Sequence, residues 1–263
     1  MRLIIVGPGR AGGAIATAAP VAGHEIVGVL SRSPVQQYGP GLMWDSPLPE
    51  ADIALIAVKD DAIADVVARL EPYAAKVAVA THLSGFVPVS SLHPLQDHGV
   101  AVGGFHPLVS MPDPASGAAA LDGAFVGIGG DPLAVDTLTH LAGSLGLEPF
   151  RLEDSDRPGY HAAAAAAANF VVASLAISGD LFESAGIDPR VSRPLVDRVV
   201  ANCFEQGPSR SLTGPIARGD TDTVIGHLTA ANEVSDSVGQ QFRLMVEATA
   251  VRAGREQDLH KWK

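Results

Sequence analysis

Short apolar runs set the rhythm of the first 150 residues. Residues 3–6, 25–30, 53–58, 76–81, 100–105, 124–129 and 148–152 are rich in Val and Ile and are bounded by Gly, Pro, Asp or Ser, which predicts strands. The first few are apolar throughout, as parallel strands covered on both faces must be. Helical stretches lie between them, such as 61–70 and 132–145. The second has Asp131 as N-cap, Pro132 at the first helical position and Gly146 just past its end. This alternation predicts a doubly wound, mostly parallel α/β sheet.

The texture changes near Leu152. Residues 153–158 are polar and run into the breakers Pro158 and Gly159, which reads as a linker. Beyond it no strand pattern recurs, and helices are expected at about 159–185, 189–205, 221–231 and 233–253. Gly186 closes the first, and Asp188-Pro189 opens the second. The expected organisation is an α/β domain over 1–152, a linker over 153–158 and an all-helical domain over 159–263. The stretch 162–177 is mostly alanine and apolar nearly all round. Broken by Asn169 and Ser174, it predicts a buried helix and not a membrane span.

Composition narrows the function classes. Of 263 residues, 47% are hydrophobic and 18% charged, which excludes a disordered chain. A net charge of −11 argues against nucleic acid and anionic membranes as partners, so any bound phosphate needs a local site. The one cysteine, Cys203, excludes an intramolecular disulfide and a cysteine metal cluster. With an N-terminal apolar run too short for a signal peptide, these features point to a cytoplasmic protein.

Gly7-Pro8-Gly9-Arg10-Ala11-Gly12 is a GxGxxG segment that follows the strand 3–6 and opens the helical run 11–19. In that context the glycines serve a tight turn, the approach of backbone to a pyrophosphate, and close packing of helix on strand. The helix start adds free N–H groups and a positive dipole end. This is the signature of a Rossmann dinucleotide-binding domain. Where an NAD site carries an acidic residue for the ribose 2′-hydroxyl, strand 25–30 ends in Ser31-Arg32-Ser33. A guanidinium between two hydroxyls suits a 2′-phosphate, so the expected cofactor is NADP(H). Val58 ends the strand 53–58 and should lie beside the cofactor, and Lys59 either touches phosphate or substrate or forms a solvated pair with the neighbouring Asp60 and Asp61.

Four further segments occur in order: Thr81-His82-Leu83-Ser84-Gly85; Gly104-Phe105-His106-Pro107-Leu108; Gly159-Tyr160-His161 before the alanine-rich helix with Asn169-Phe170; and Leu212-Thr213-Gly214-Pro215-Ile216-Ala217-Arg218-Gly219-Asp220. Together they resemble a bacterial family of Rossmann-like proteins whose helical C-terminal half is a domain of unknown function. That family is related to ketopantoate reductases, pyrroline-5-carboxylate reductases and β-hydroxyacid dehydrogenases. The resemblance implies an NADP-dependent reductase, homodimeric through its helical domain, with its active site between domains. Ketopantoate is the leading substrate it implies, and a cyclic imine the alternative. One feature departs from the relatives. β-Hydroxyacid dehydrogenases and ordinary ketopantoate reductases carry a lysine four residues before an asparagine; if Asn169 is that asparagine, Ala165 stands in the lysine's place.

Reduction of a carbonyl needs a hydride donor, a group to protonate the oxygen, and an anchor for the rest of the substrate. His161 begins the helix that carries Asn169, about 80° around it at 100° per residue, and can replace the missing lysine as general acid. Asn169, on an apolar helix, needs hydrogen-bond partners, either substrate or backbone. Ser84 and the substrate-binding candidates His82 and His106 fall at strand ends, where ligands bind in parallel sheets. Arg218, beside Thr213, either clamps a substrate carboxylate or pairs with Asp220, which would otherwise cap the next helix. His82, His106 and His161 lack a metal-ligand spacing signature, so no metal is expected.

Overall fold

The computed structural model of the chain describes residues 1–33, 35–44 and 46–262. Eight strands form one sheet: β1 (Arg2–Val6), β2 (Glu25–Leu30), β3 (Gly41–Leu42), β4 (Ala51–Ile56), β5 (Val77–His82), β6 (Ala101–Pro107), β7 (Phe125–Gly130) and β8 (Glu148–Arg151). Their order is β3-β2-β1-β4-β5-β6-β7-β8. Every neighbouring pair is parallel except β6 with β7. Seven of these strands match the apolar runs. The two-residue β3 is too short to leave a periodic signal.

Helices α1 (Arg10–Val21), α2 (Ile63–Leu70), α3 (His93–Gln96), α4 (Pro114–Ala119) and α5 (Pro132–Ser144) connect the strands. Alternation along β1 shows why the sheet is covered twice. Leu3 and Ile5 enter a cluster with Ile15 of α1 and Leu138 and Leu141 of α5, while Ile4 and Val6 enter another with Val66, Val67 and Leu70 of α2. The result is the Rossmann-like doubly wound arrangement, followed in the chain by a helical C-terminal part.

The chain divides into two compact units, Met1–Ala165 and Ala166–Lys263. Helix α6 (Arg157–Ala165) therefore closes the first unit. The segment 153–158, read as a linker, is tied into that unit instead. The Asp154 carboxylate accepts the Val89 and Ser90 N–H groups, and Arg157 is fully buried. Asp131 occupies the N-cap of α5 without a side-chain cap bond. Its carboxylate accepts Val102 N–H and Gln96 Nε2 instead, pinning α5 to β6 and α3.

The second unit opens with five π-helical residues, Ala166–Phe170, and continues as α7 (Val171–Ser184). Then follow α8 (Arg193–Gln206), α9 (Pro208–Ser211), α10 (Pro215–Arg218), α11 (Thr221–Val234) and α12 (Asp236–Arg252). Its core joins Val224 and Leu228 of α11 to Val246 and Ala250 of α12 and to Trp262. The expected burial of 162–177 is not observed: Phe170, Val171, Val172 and Leu175 are exposed, and Ile177 is the buried member of that stretch. A helix apolar all round needs neighbours on every side, and α7 packs through Ile177 against Ala231 of α11 and Val238 of α12. The run Arg157–Ser184 is long and apolar enough to cross a membrane by length and composition. Its first residue, Arg157, is nevertheless buried in the α/β unit.

Candidate functional site

The glycine turn has the geometry its spacing implies. Gly7 has φ +91, and a Cβ there would stand 2.8 Å from both the Ala57 carbonyl oxygen and Val58 Cγ1. A Cβ on Gly12 would lie 2.8 Å from Ala57 Cβ and would clash with the Gly7 oxygen, so this glycine lets α1 pack against the strand edge. Around Gly9, by contrast, a Cβ would meet nothing within 4 Å. That residue is the N-cap of α1, and no acidic side chain occupies the helix's first turn. An open backbone face at a helix N-terminus is where an anion can approach N–H groups closely.

A cavity of about 730 Å³ opens at this turn, within the range of small-molecule and cofactor sites. Gly7, Pro8 and Gly9 line it, as do Ser31, Arg32 and Ser33 from the end of β2 and Val58 and Lys59 from the end of β4. Arg10, Ala11 and Gly12 are absent from its wall because they form the first helical turn behind it. Arg32 and Lys59 are exposed, and the Ser31 hydroxyl hydrogen-bonds the Ser33 carbonyl. Sequence reading missed other members of the wall. Arg69, at the end of α2, lies 4.5 Å over the Trp44 ring, a cation–π pair that faces the cavity. Asp61 and Asp65 face it as well, set against the three cations Arg32, Lys59 and Arg69.

A second constellation sits where β5 and β6 end. Across the sheet, Val6, Ile56, His82 and Gly104 stand in line on β1, β4, β5 and β6, so the ends of these strands share the edge that carries the glycine turn. His106 Nδ1 and Tyr160 Oη are 2.6 Å apart, with the rings edge-on at 5.4 Å. His161 meets the His106 ring at 6.0 Å, and Phe86 lies 6.1 Å from His161. A Cβ on Gly85 would stand 2.8 Å from His106 Nε2 and 2.9 Å from His161 Cδ2, which is why a glycine follows Ser84. Burial, helped by the neighbouring His161 and Arg157, pushes His106 down to about 4. Burial likewise pushes Tyr160 up to about 12.

His82 departs from the expected substrate contact. It is fully buried in an interior strand, and neither ring nitrogen has a hydrogen-bond partner. Burial first, and then the Arg157 charge, push it down to about 4. Arg157 was overlooked as part of a polar linker. Its guanidinium bonds the Asp154 carboxylate at 2.9 Å and the Ser84 carbonyl at 3.0 Å, while Nη2 is buried and unpartnered. Ser84 itself shapes the loop: its hydroxyl accepts Phe86 N–H at 3.1 Å and Val87 N–H at 2.9 Å. Among the described residues no group of three His, Cys, Asp or Glu side chains is placed to hold a metal ion.

The remaining candidates belong to the second unit. Asn169 is exposed and lies inside the π-helical turn, so the 100° step reckoned from His161 does not apply to it. Thr213 and Arg218 are exposed on the loop and short helix that precede α11. The Arg218 guanidinium pairs with Asp220 at 2.7 Å, and Asp220 makes no side-chain cap bond to α11. Of the two readings of Arg218, the internal pair is the one present. Gly219 is left-handed (φ +77) and packed against Arg255, which explains the glycine of this segment as architecture.

Residues 124–249, just under half of the chain, match the family model described as a domain of unknown function, DUF2520. No curated protein matches the chain. Among solved structures, a Bacteroides fragilis protein provisionally assigned as an NADP oxidoreductase is similar at 19% identity and TM-score 0.80, over 95% of this chain and 98% of that one. Pyrroline carboxylate reductase of Plasmodium falciparum, with NADP bound, is similar at 15% identity and TM-score 0.63, over all of both chains. An imine reductase of Myxococcus stipitatus, in complex with NADP+, is similar at 14% identity and TM-score 0.67, over 100% and 98%. At these identities the likeness is one of fold.

Proposed function

We propose that this chain is an NADPH-dependent reductase of a C=O or C=N bond in a small substrate, with a branched 2-oxo acid such as ketopantoate the leading candidate. The observation that carries the reading is the glycine turn, whose open Gly9 face borders a cavity walled by Arg32 and Arg69. The pyrophosphate would lie on the turn and the start of α1, and the 2′-phosphate against Ser31, Arg32 and Ser33. His106 and His161, at the ends of the neighbouring elements, would border the reacting group. A cyclic imine is the second substrate class. It is favoured by the fold likeness to imine and pyrroline carboxylate reductases. The reading includes a homodimer formed through the helical unit and a cytoplasmic location.

Purified protein, incubated with NADPH and a panel of 2-oxo acids and cyclic imines, should oxidise NADPH with one of these classes. Arg32→Asp should then lower the NADPH-over-NADH preference by on the order of 100-fold, the scale of one or two charge-assisted hydrogen bonds. Tight NADPH binding without turnover on any member would replace this reading with that of a nucleotide-sensing protein. A preference that survives Arg32→Asp would remove Arg32 from the 2′-phosphate site.

A further inference from the structure

Reduction of a carbonyl or imine ends with one proton on the oxygen or nitrogen, and if Asn169 matches the asparagine of β-hydroxyacid dehydrogenases, their lysine position is Ala165 here. We propose that Tyr160, held by His106, delivers that proton; the inference rests on the reductase reading above. Tyr160 and His106 come from elements 54 residues apart and meet at 2.6 Å. The imidazole has little freedom, because Gly85 and His161 close on its other side. Phe150 packs on Tyr160 with ring centroids 5.6 Å apart. Tyr160 is only half-buried.

Position along the sheet edge agrees. β6 is three strand spacings from β1, about 14 Å from the glycine turn along the edge where ligands of parallel sheets bind. The groups around the pair are Arg157, His161, His82 and Asp60 for His106, and Arg157 for Tyr160. Near neutral pH the burial of both leaves a neutral imidazole and a phenol that keeps its proton.

Bound NADPH supplies a hydride to the substrate carbon, so its oxygen or nitrogen must gain one proton. With His106 protonated on Nδ1, the imidazole donates to Tyr160 Oη and leaves the phenol hydrogen free to face the substrate. The Tyr160 O–H bond breaks as the new O–H or N–H bond forms. Water then returns one proton to the phenolate oxygen, while the His106 Nδ1–H keeps its hydrogen bond to that oxygen. One solvent proton ends on the product, and the pair is restored as it began.

The test compares wild type, Tyr160→Phe and His106→Asn in NADPH binding and in steady-state kinetics on the panel substrate. Tyr160→Phe should lower kcat by on the order of 100-fold or more, the contribution of a general acid, with the Kd for NADPH and the KM within about twofold. Its residual rate should climb about tenfold for each unit of falling pH, because hydronium must supply the proton, while wild type stays flat between about pH 6 and 9. His106→Asn should also lower kcat with NADPH affinity intact. A Tyr160→Phe enzyme of wild-type rate, or one whose loss is equal at every pH, overturns the assignment while the reductase reading stands. A wild type that binds NADPH and reduces nothing overturns both.

Discussion

His82 is 0% exposed, and neither ring nitrogen has a hydrogen-bond partner of good geometry, although the Pro88 backbone lies near the ring. The unfolded chain carries this imidazole near its ordinary 6.5, while burial and the nearby Arg157 charge hold it at about 4 in the fold. Between those values the unfolded state binds more protons, so stability rises with pH across that window. The contribution is fully present above about pH 6.5 and is lost as pH falls towards about 4. For so buried a group it amounts to on the order of 3 kcal/mol. His106, shifted in the same direction, adds to the same slope. Urea unfolding of wild type and His82→Leu at about pH 7 and pH 5 isolates the effect. The variant should lose distinctly less stability between the two pH values, and parallel losses would show that His82 titrates in the fold as it does unfolded.

The strand–turn–helix of β1 and α1 separates binding from folding within one motif. A Cβ at Gly12 collides with Gly7 and Ala57, whereas one at Gly9 enters open space. Gly12→Ala should therefore destabilise the first unit by a few kcal/mol, as overpacking does, with a lower thermal midpoint. Gly9→Ala should leave that midpoint within about 2 °C and still weaken NADPH binding at least tenfold, because its methyl stands where the pyrophosphate must approach. Normal affinity in Gly9→Ala would move the phosphates off the turn. This element was legible in the sequence because its determinants are local: an apolar strand, three glycines and a helix within twenty residues. The histidine cluster was legible only as separate fragments. Tyr160 finds His106 across 54 residues and Asp154 finds Val89 across 65, so neither pairing leaves a local pattern. Arg157 looked like linker polarity because its burial is created by β6, where Gly104 leaves the space a side chain would fill. Trp44 and Arg69 went unread for the same reason, since they meet only after α2 folds back on the sheet.

At the scale of the molecule, apolar exposure is unevenly shared. Thirteen of the nineteen large hydrophobic side chains exposed among the described residues belong to the second unit, which holds fewer than two-fifths of the chain. They recur along α7 (Val171, Val172, Leu175) and α8 (Leu195, Val199, Phe204), and Phe204 is 89% exposed. Soluble monomers rarely leave an apolar patch of more than a few hundred Å² uncovered, while interfaces between stable subunits bury about 800 Å² per partner. The net charge of −11 gives a free chain no other device for holding such a surface in water than to repel its copies, and repulsion alone does not cover it. A second copy of the helical unit offers the same exposed apolar side chains in return, as a two-fold interface requires. The full-length protein should therefore sediment at twice the mass of one chain. The pair Leu195→Glu and Phe204→Glu should halve that mass while helix content and NADPH affinity persist, because both substitutions lie outside the glycine turn and its cavity. A wild type of single-chain mass would assign these side chains to another kind of partner, and binding of that wild type to lipid vesicles would name the membrane as that partner.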